Sequence, residues 1–291
     1  MQTVIHIGCP KTGTTTLQRH LFRELPGVHY LGHYSRLNPK LQRVPHRARG
    51  HEQVPEDWRK AVARAPADAE RILYSQEKLT YYPASLAPRI AEETRAIVGD
   101  ARIFITIRRQ QDVCISNYFN YVATGYTGDF STFMADGMRC MEETPDMAMR
   151  KRPECIWDLW RYRALYEAWE EVFGQVDILP LEAWKAQPER ARATLVEVLG
   201  QDDVELPGAK ARSRASNIPW RDKLPRPLAQ FIKRTPWPDW MTRRWQQDLN
   251  VELTADQHRT IEEVYGPHNR WLAERTGWDL RALGYPGWAE S

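Results

Sequence analysis

Short runs of β-branched and aliphatic residues alternate along the chain with longer amphipathic segments, the pattern of βαβ units around a mostly parallel sheet. Residues 4–8 form the first predicted strand and residues 14–25 the helix after it, with Leu17, Leu21 and Leu25 at four-residue spacing and Pro26-Gly27 as the stop. Further strands are predicted at 28–31, 71–75, 102–107 and 176–181, and helices at 56–64, 86–98, 111–123, 188–199 and 254–275. One long helix is predicted over 156–173, where Trp160, Leu165, Trp169 and Phe173 recur near helical spacing and read as core. Residues 33–55, with Pro39, Pro45, Gly50 and Pro55, read as a loop or lid, and residues 125–153 show little periodicity.

Composition changes this picture little, since 42% hydrophobic and 27% charged residues are ordinary for a globular chain. The net charge of +3 excludes a histone-like or tail-driven nucleic-acid binder. Its distribution is more telling: residues 1–55 carry eight Lys/Arg against two acidic residues, and residues 207–247 carry ten against two. Two basic segments in a near-neutral chain point to a localised anionic ligand. No apolar run approaches the roughly 18 residues of a membrane span, and the N-terminus does not look like a signal peptide. A soluble, cytoplasmic protein is expected, with Cys9, Cys114, Cys140 and Cys155 as free thiols. Oxidation or alkylation of Cys9, inside the loop described next, is expected to block that loop.

The strongest chemical signal is Val4-Ile-His-Ile-Gly-Cys-Pro-Lys-Thr-Gly-Thr-Thr-Thr-Leu17, a strand passing through a small loop into a helix. Gly8 and Gly13 have the separation of the two glycines in G-x-x-x-x-G-K-[ST], but Thr14 stands where that motif has lysine, and the loop's lysine is Lys11. Backbone amides of such a loop converge on an anion, glycine permits its close approach, and threonine hydroxyls add donors. A nucleotide phosphate is the expected ligand. The endings Tyr74-Ser-Gln-Glu77 and Ile107-Arg108-Arg109 offer no aspartate to organise magnesium, so no metal is expected.

Pro10-Lys-Thr-Gly-Thr-Thr-Thr16 resembles the 5′-phosphosulfate loop of the sulfotransferase family, whose donor is 3′-phosphoadenosine 5′-phosphosulfate. Ile107-Arg108-Arg-Gln-Gln-Asp-Val-Cys-Ile-Ser116 resembles that family's 3′-phosphate segment, an arginine ending a strand with a serine eight positions later. Residues 176–200 and 268–277 are similar to the family's late strand and C-terminal helix, so the resemblance spans most of the chain. It is weakest at 33–60 and 125–155, which are expected to be acceptor-side loops.

The resemblance implies an α/β fold with a P-loop-like central parallel sheet flanked by helices and a helical C-terminal third, all in one domain over 1–291. It implies donor contacts from Lys11, Thr12, Gly13, Thr14, Thr15, Thr16, Arg108 and Ser116, with Arg212 and Ser213 in a covering loop at 207–226. Transfer of a sulfuryl group to a hydroxyl of a carbohydrate, lipid or small metabolite leaves charge on the departing phosphate oxygen, the place given to Lys11. A hydroxyl acceptor also needs a proton acceptor. Glu77, with Lys78 lining the site, resembles the Glu-Lys pair of carbohydrate-type sulfotransferases, and His33 is the competing base. Tyr162 matches a recurrent family tyrosine of no derived role. A small-molecule or glycan acceptor is expected, with no nucleic-acid partner. A nucleotide or sugar kinase, or a non-catalytic binder of 3′-phosphoadenosine 5′-phosphate, stays open as an alternative.

Overall fold

A computed structural model of the chain describes residues 1–32, 54–80, 84–122, 126, 128–143, 153–206 and 251–288. Strands β1 (Gln2–His6), β2 (Val28–Leu31), β3 (Arg71–Ser75), β4 (Arg102–Ile107) and β5 (Val176–Pro180) form one sheet in the order β2-β3-β1-β4-β5, every pairing parallel. Around it run α1 (Thr14–His20), α2 (Val54–Val62), α3 (Ala87–Val98), α4 (Gln110–Val122), α5 (Phe130–Glu143), α6 (Tyr162–Phe173), α7 (Ala183–Ala186), α8 (Pro188–Leu199) and α9 (Ala255–Thr276). All six residues of β4 are buried, as a parallel strand covered on both faces requires. The order places β1 between β3 and β4, so the strand order reverses at β1, and the loops leaving these three strands emerge side by side.

The helix ends follow local chemistry. Pro188 opens α8 and Gly200, left-handed at φ 58°, closes it. At α9, Thr254 and Gln257 form a reciprocal capping box, side chain to backbone in both directions.

Three predicted elements differ. Helix α1 ends at His20, not at residue 25, because the Leu21 and Phe22 amides both turn back to the Leu17 carbonyl and carry the two side chains into the core. The long helix predicted over 156–173 breaks at Arg161 into a 3₁₀ segment, Pro153–Trp160, followed by α6. The tighter 3₁₀ turn eclipses residues three apart, which places Trp157 and Trp160, both fully buried, on one side. Residues 125–155, expected as an acceptor-side loop, contain α5, whose Phe130 and Phe133 pack on Tyr118. The 33–55 and 207–247 basic segments lie outside the described residues, apart from the short stretch from 54 that begins α2. Among the described residues no helix is long and apolar enough to cross a membrane.

One ion pair locks the outer half of the sheet. Arg102 on β4, 9% exposed, donates from Nε and Nη2 to Asp177 on β5 at 2.5 and 2.8 Å, and reaches the Glu197 carbonyl on α8 at 3.2 Å. Arg102→Ala leaves Asp177 half-buried without its cation and should destabilise the fold by roughly 2 kcal/mol, below the value for a fully buried pair because water reaches the carboxylates. Urea denaturation measures this.

Candidate functional site

The loop after β1 makes its turn through two left-handed residues. Lys11 has φ 67°, the sole positive φ on a non-glycine among the described residues, and Gly13 follows at φ 84°. Gly13 also has no room for a side chain: a Cβ there would lie 2.7 Å from Leu181 Cδ1. At Gly8 the limit is different, since a Cβ would lie 1.9 Å from Thr14 Cγ2 and 2.6 Å from Thr106 Oγ1. The two glycines of the motif therefore serve a close approach between the loop, β4 and the corner after β5. Thr16 and Leu17 return their amides to the Gly13 carbonyl at 2.9 and 3.2 Å and start α1. The amides of Gly13, Thr14 and Thr15 donate to no backbone carbonyl among the described residues, as the opening turn of a helix leaves them.

Three charged residues meet at this end of the sheet, one from each central strand. Lys11 follows β1, Glu77 follows β3 in a 3₁₀ turn (Glu77–Thr80), and Arg108 follows β4. Burial lowers the Lys11 pKa; Glu77 opposes that shift and Arg108 adds to it. Burial pushes Glu77 up to about 7, and Lys11 holds it from going higher. A carboxyl that titrates near neutrality is well matched to accepting a proton. Arg108 donates from Nη1 to the Lys11 carbonyl at 3.2 Å, while its Nε is buried with no hydrogen-bond partner among the described residues.

Arg108 is itself held from behind. The hydroxyl of Tyr162, buried on α6, donates to the Arg108 carbonyl at 2.7 Å and accepts from its amide at 3.3 Å. This gives Tyr162 a place that the sequence did not supply. Behind it, Gln110 and Asn269 exchange amide hydrogen bonds at 3.0 and 3.1 Å and tie α9 to α4. Glu182 accepts from the Arg109 amide at 3.2 Å and from the Tyr285 hydroxyl at 2.8 Å. The 268–277 and 176–200 stretches are thus the scaffold that fixes the turn after β4.

The remaining predicted residues separate by position. Thr12 is fully buried, and its hydroxyl faces inward, donating to the Cys9 carbonyl at 2.6 Å and lying 2.9 Å from Thr106 Oγ1. Thr14 is buried against Gly8, whereas Thr15 and Thr16 are half-exposed on the first turn of α1. Ser116 is half-buried on the second turn of α4. His33, Arg212 and Ser213 lie outside the described residues, as do Trp220, Trp237, Trp240 and Trp245, and the Lys78 side chain is likewise not described. Cys9 is free but fully buried, and burial followed by the nearby Glu77 carboxylate raises its pKa, so the thiol is shielded from the oxidation or alkylation considered for it.

A sulfotransferase from Alicyclobacillus acidocaldarius has the same fold, with a TM-score of 0.62 and 16% identity over 97% of this chain and 98% of that one. The mouse sulfotransferase SULT7A1 complexed with PAP aligns at a TM-score of 0.49 and 16% identity, covering 97% of this chain and 88% of that one. No protein-family model matches the chain, and no curated protein matches it. The fold expected from the sequence is therefore the fold observed, a P-loop-like parallel sheet between helices.

The Glu77 shift has a consequence for stability. An unfolded glutamate ionises near 4.5 and the folded Glu77 near 7, so between those values the folded state keeps a proton that the unfolded state has released. Stability then falls as pH rises through that window. Glu77→Gln should raise the melting temperature at pH 8 and lose that advantage towards pH 5, as read by scanning calorimetry.

Proposed function

We propose that this protein is a sulfotransferase that uses 3′-phosphoadenosine 5′-phosphosulfate to sulfate a hydroxyl of a carbohydrate, lipid or small metabolite. The observation that carries this reading is the meeting of Lys11, Glu77 and Arg108 at the ends of three adjacent parallel strands, beside loop amides that donate to no backbone carbonyl among the described residues. Fold alone does not establish activity, but here the fold coincides with a loop whose residues resemble the family's donor segment.

The site suits a doubly anionic nucleotide. Arg108 Nε is a buried donor without a partner, and the amides of Gly13, Thr14 and Thr15 are free of backbone acceptors among the described residues. On this reading Lys11, Gly13, Thr14, Thr15 and Thr16 hold the 5′ end, and Arg108 with Ser116 holds the 3′-phosphate. Thr12 contributes through its backbone, because its hydroxyl is engaged inside the fold. Arg212, Ser213 and the 207–226 segment are proposed to cover the donor. The donor supplies a sulfuryl group bonded to a phosphate oxygen.

Lys11 lies beside the loop amides and neutralises charge on the oxygen released when that bond breaks. Its lowered pKa reflects a desolvated position, where a charge interacts more strongly than in water. Glu77 takes the proton of the acceptor hydroxyl as its oxygen bonds to sulfur. A pKa of about 7 leaves a large ionised fraction at neutral pH and keeps the carboxylate basic enough to act. His33 is the alternative base, and Lys78 is proposed to line the acceptor side. Arg108 supports Lys11 by holding the Lys11 carbonyl, which helps keep the left-handed turn at that residue.

Lys11→Ala should lower turnover by about 100-fold or more, the scale of losing one charge-stabilising group at a reacting centre; product is counted as an 80 Da gain by mass spectrometry, and near-normal turnover would contradict the assignment. Arg108→Ala should weaken 3′-phosphoadenosine 5′-phosphate far more than its 3′-dephospho counterpart in calorimetry, and equal weakening would reject the 3′-phosphate contact. Tight adenine-nucleotide binding that needs a γ-phosphate and magnesium, with no heat from the bisphosphate nucleotide, would replace this reading with a kinase.

A further inference from the structure

Beneath the loop runs a continuous chain of buried polar side chains that the proposed chemistry does not use. Gln18 Nε2 on α1 donates to Ser75 Oγ at 2.9 Å. Ser75 Oγ lies 2.7 Å from His6 Nδ1, and His6 Nε2 lies 3.2 Å from Thr106 Oγ1. Thr106 Oγ1 is 2.9 Å from Thr12 Oγ1, and Thr12 donates to the Cys9 carbonyl at 2.6 Å. His6, Ser75, Thr106 and Thr12 are all fully buried, and Gln18 is 6% exposed.

The two ends of the chain dictate its direction. A carbonyl only accepts, so the Thr12 proton points to Cys9 and Thr12 must accept from Thr106. The single Thr106 proton is then committed, and His6 Nε2 must donate to it. At the other end an amide nitrogen only donates, so Ser75 accepts from Gln18, and because burial keeps the His6 ring neutral with its proton on Nε2, Nδ1 accepts the Ser75 proton. Each donor thus has one acceptor in a single direction, and His6 is the neutral Nε2–H tautomer. Its ring sits edge-on to Phe22 and tilted against Phe104, and burial lowers its pKa to about 3, so a proton on Nδ1 is opposed by both the surroundings and the Ser75 hydroxyl.

We propose that His6 is a positioning residue: as the hub of this one-way chain it locks the ends of β1, β3 and β4 together and so sets Lys11, Glu77 and Arg108 against one another. The chain residues alternate with the charged ones along the sequence, Thr12 next to Lys11, Ser75 two before Glu77 and Thr106 two before Arg108. The lack of a side chain on Gly8 makes room for it, since a Cβ there would crowd Thr106 Oγ1 at 2.6 Å and the His6 ring at 3.1 Å. His6 on β1 bonds directly to Ser75 on β3 and Thr106 on β4, and Thr106 carries the connection on to Thr12 in the loop. The catalytic meaning of this inference rests on the proposed sulfuryl transfer, whereas the geometry does not.

The test therefore reads geometry and activity separately, on the full chain. Nitrogen NMR of ring-labelled histidine should show His6 as Nε2–H with unprotonated Nδ1 and no titration between about pH 5 and pH 8; an imidazolium or an Nδ1–H ring would overturn the one-way chain. Carboxyl-carbon NMR of labelled glutamate, assigned with Glu77→Gln, then follows Glu77 in His6→Phe, which keeps ring volume but neither hydrogen bond. With Lys11 no longer held close, the Glu77 midpoint should rise by about half a unit or more, a like-direction shift expected from a weakened opposite charge. His6→Gln, which retains a donor towards Thr106, should recover part of that shift. Thr106→Val cuts the chain one link nearer the loop while sparing His6, should move Glu77 the same way, and serves if His6→Phe does not fold. A Glu77 midpoint unchanged in a folded variant overturns the positioning role. Turnover should fall about tenfold or more in His6→Phe with partial recovery in His6→Gln; a shifted Glu77 in a protein that never transfers sulfuryl upholds the positioning and removes the sulfotransferase reading instead.

Discussion

Everything distinctive about this molecule depends on the parallel pairing of β1 with a neighbour on each side. Parallel strands all leave the sheet at the same end, so a central strand brings its own following loop and those of β3 and β4 into one place. Lys11, Glu77 and Arg108 are separated by dozens of residues in the chain and meet because of that arrangement alone. The two glycines of the loop are its local counterpart: Gly8 and Gly13 let backbone and side chains of neighbouring elements approach more closely than any Cβ allows.

Bringing these groups together has an electrostatic consequence. Burial disfavours both the lysine cation and the glutamate anion, and each partly offsets the loss suffered by the other. With Glu77 near 7, its ionised fraction at neutral pH depends on how close Lys11 stands, and a precise spacing is worth holding. Tyr162 on one side of Arg108, and the polar chain through His6 on the other side of the loop, supply that rigidity with neutral groups. Neutral hydrogen-bonded groups fix geometry in the interior without adding further charge to a cluster that already holds three charged residues. Sites of this kind are held at some expense in stability, which the packed tryptophans Trp157, Trp160 and Trp169 and the Arg102 ion pair offset elsewhere in the fold.

Much of the fold was legible because its signals are local. A run such as Arg102 to Ile107 has one stable use in a sheet covered on both faces, and Pro188, Gly200 and the Thr254–Gln257 box mark helix ends through their own backbone chemistry. The failures came where tertiary packing outweighed periodicity. Leu21 and Phe22 leave the helical path to enter the core, and the Trp157–Trp160 pair selects a 3₁₀ turn over a continuous helix. Phe130 and Phe133 build a helix in a segment whose apolar pattern is too sparse to announce one before Tyr118 and Tyr126 are placed against it.

The same division runs through the site. By itself the sequence marked the loop proposed here to hold an anion, its lysine, and the arginine and glutamate that end two later strands, because each is a local pairing of a strand end with a charged residue. His6, Ser75 and Thr106 were visible as polar positions in apolar strands, and Tyr162 as a match to a recurrent family tyrosine without a role. Tertiary structure alone decided that the first three form one hydrogen-bonded chain with Thr12 and Gln18, that Tyr162 grips the peptide of Arg108, and that Cys9 is sealed from solvent. The physical reason is range. A turn or a strand is settled by neighbours in the chain, whereas the direction of a buried hydrogen bond and the pKa of a buried carboxyl are set by whichever distant groups the fold brings into contact.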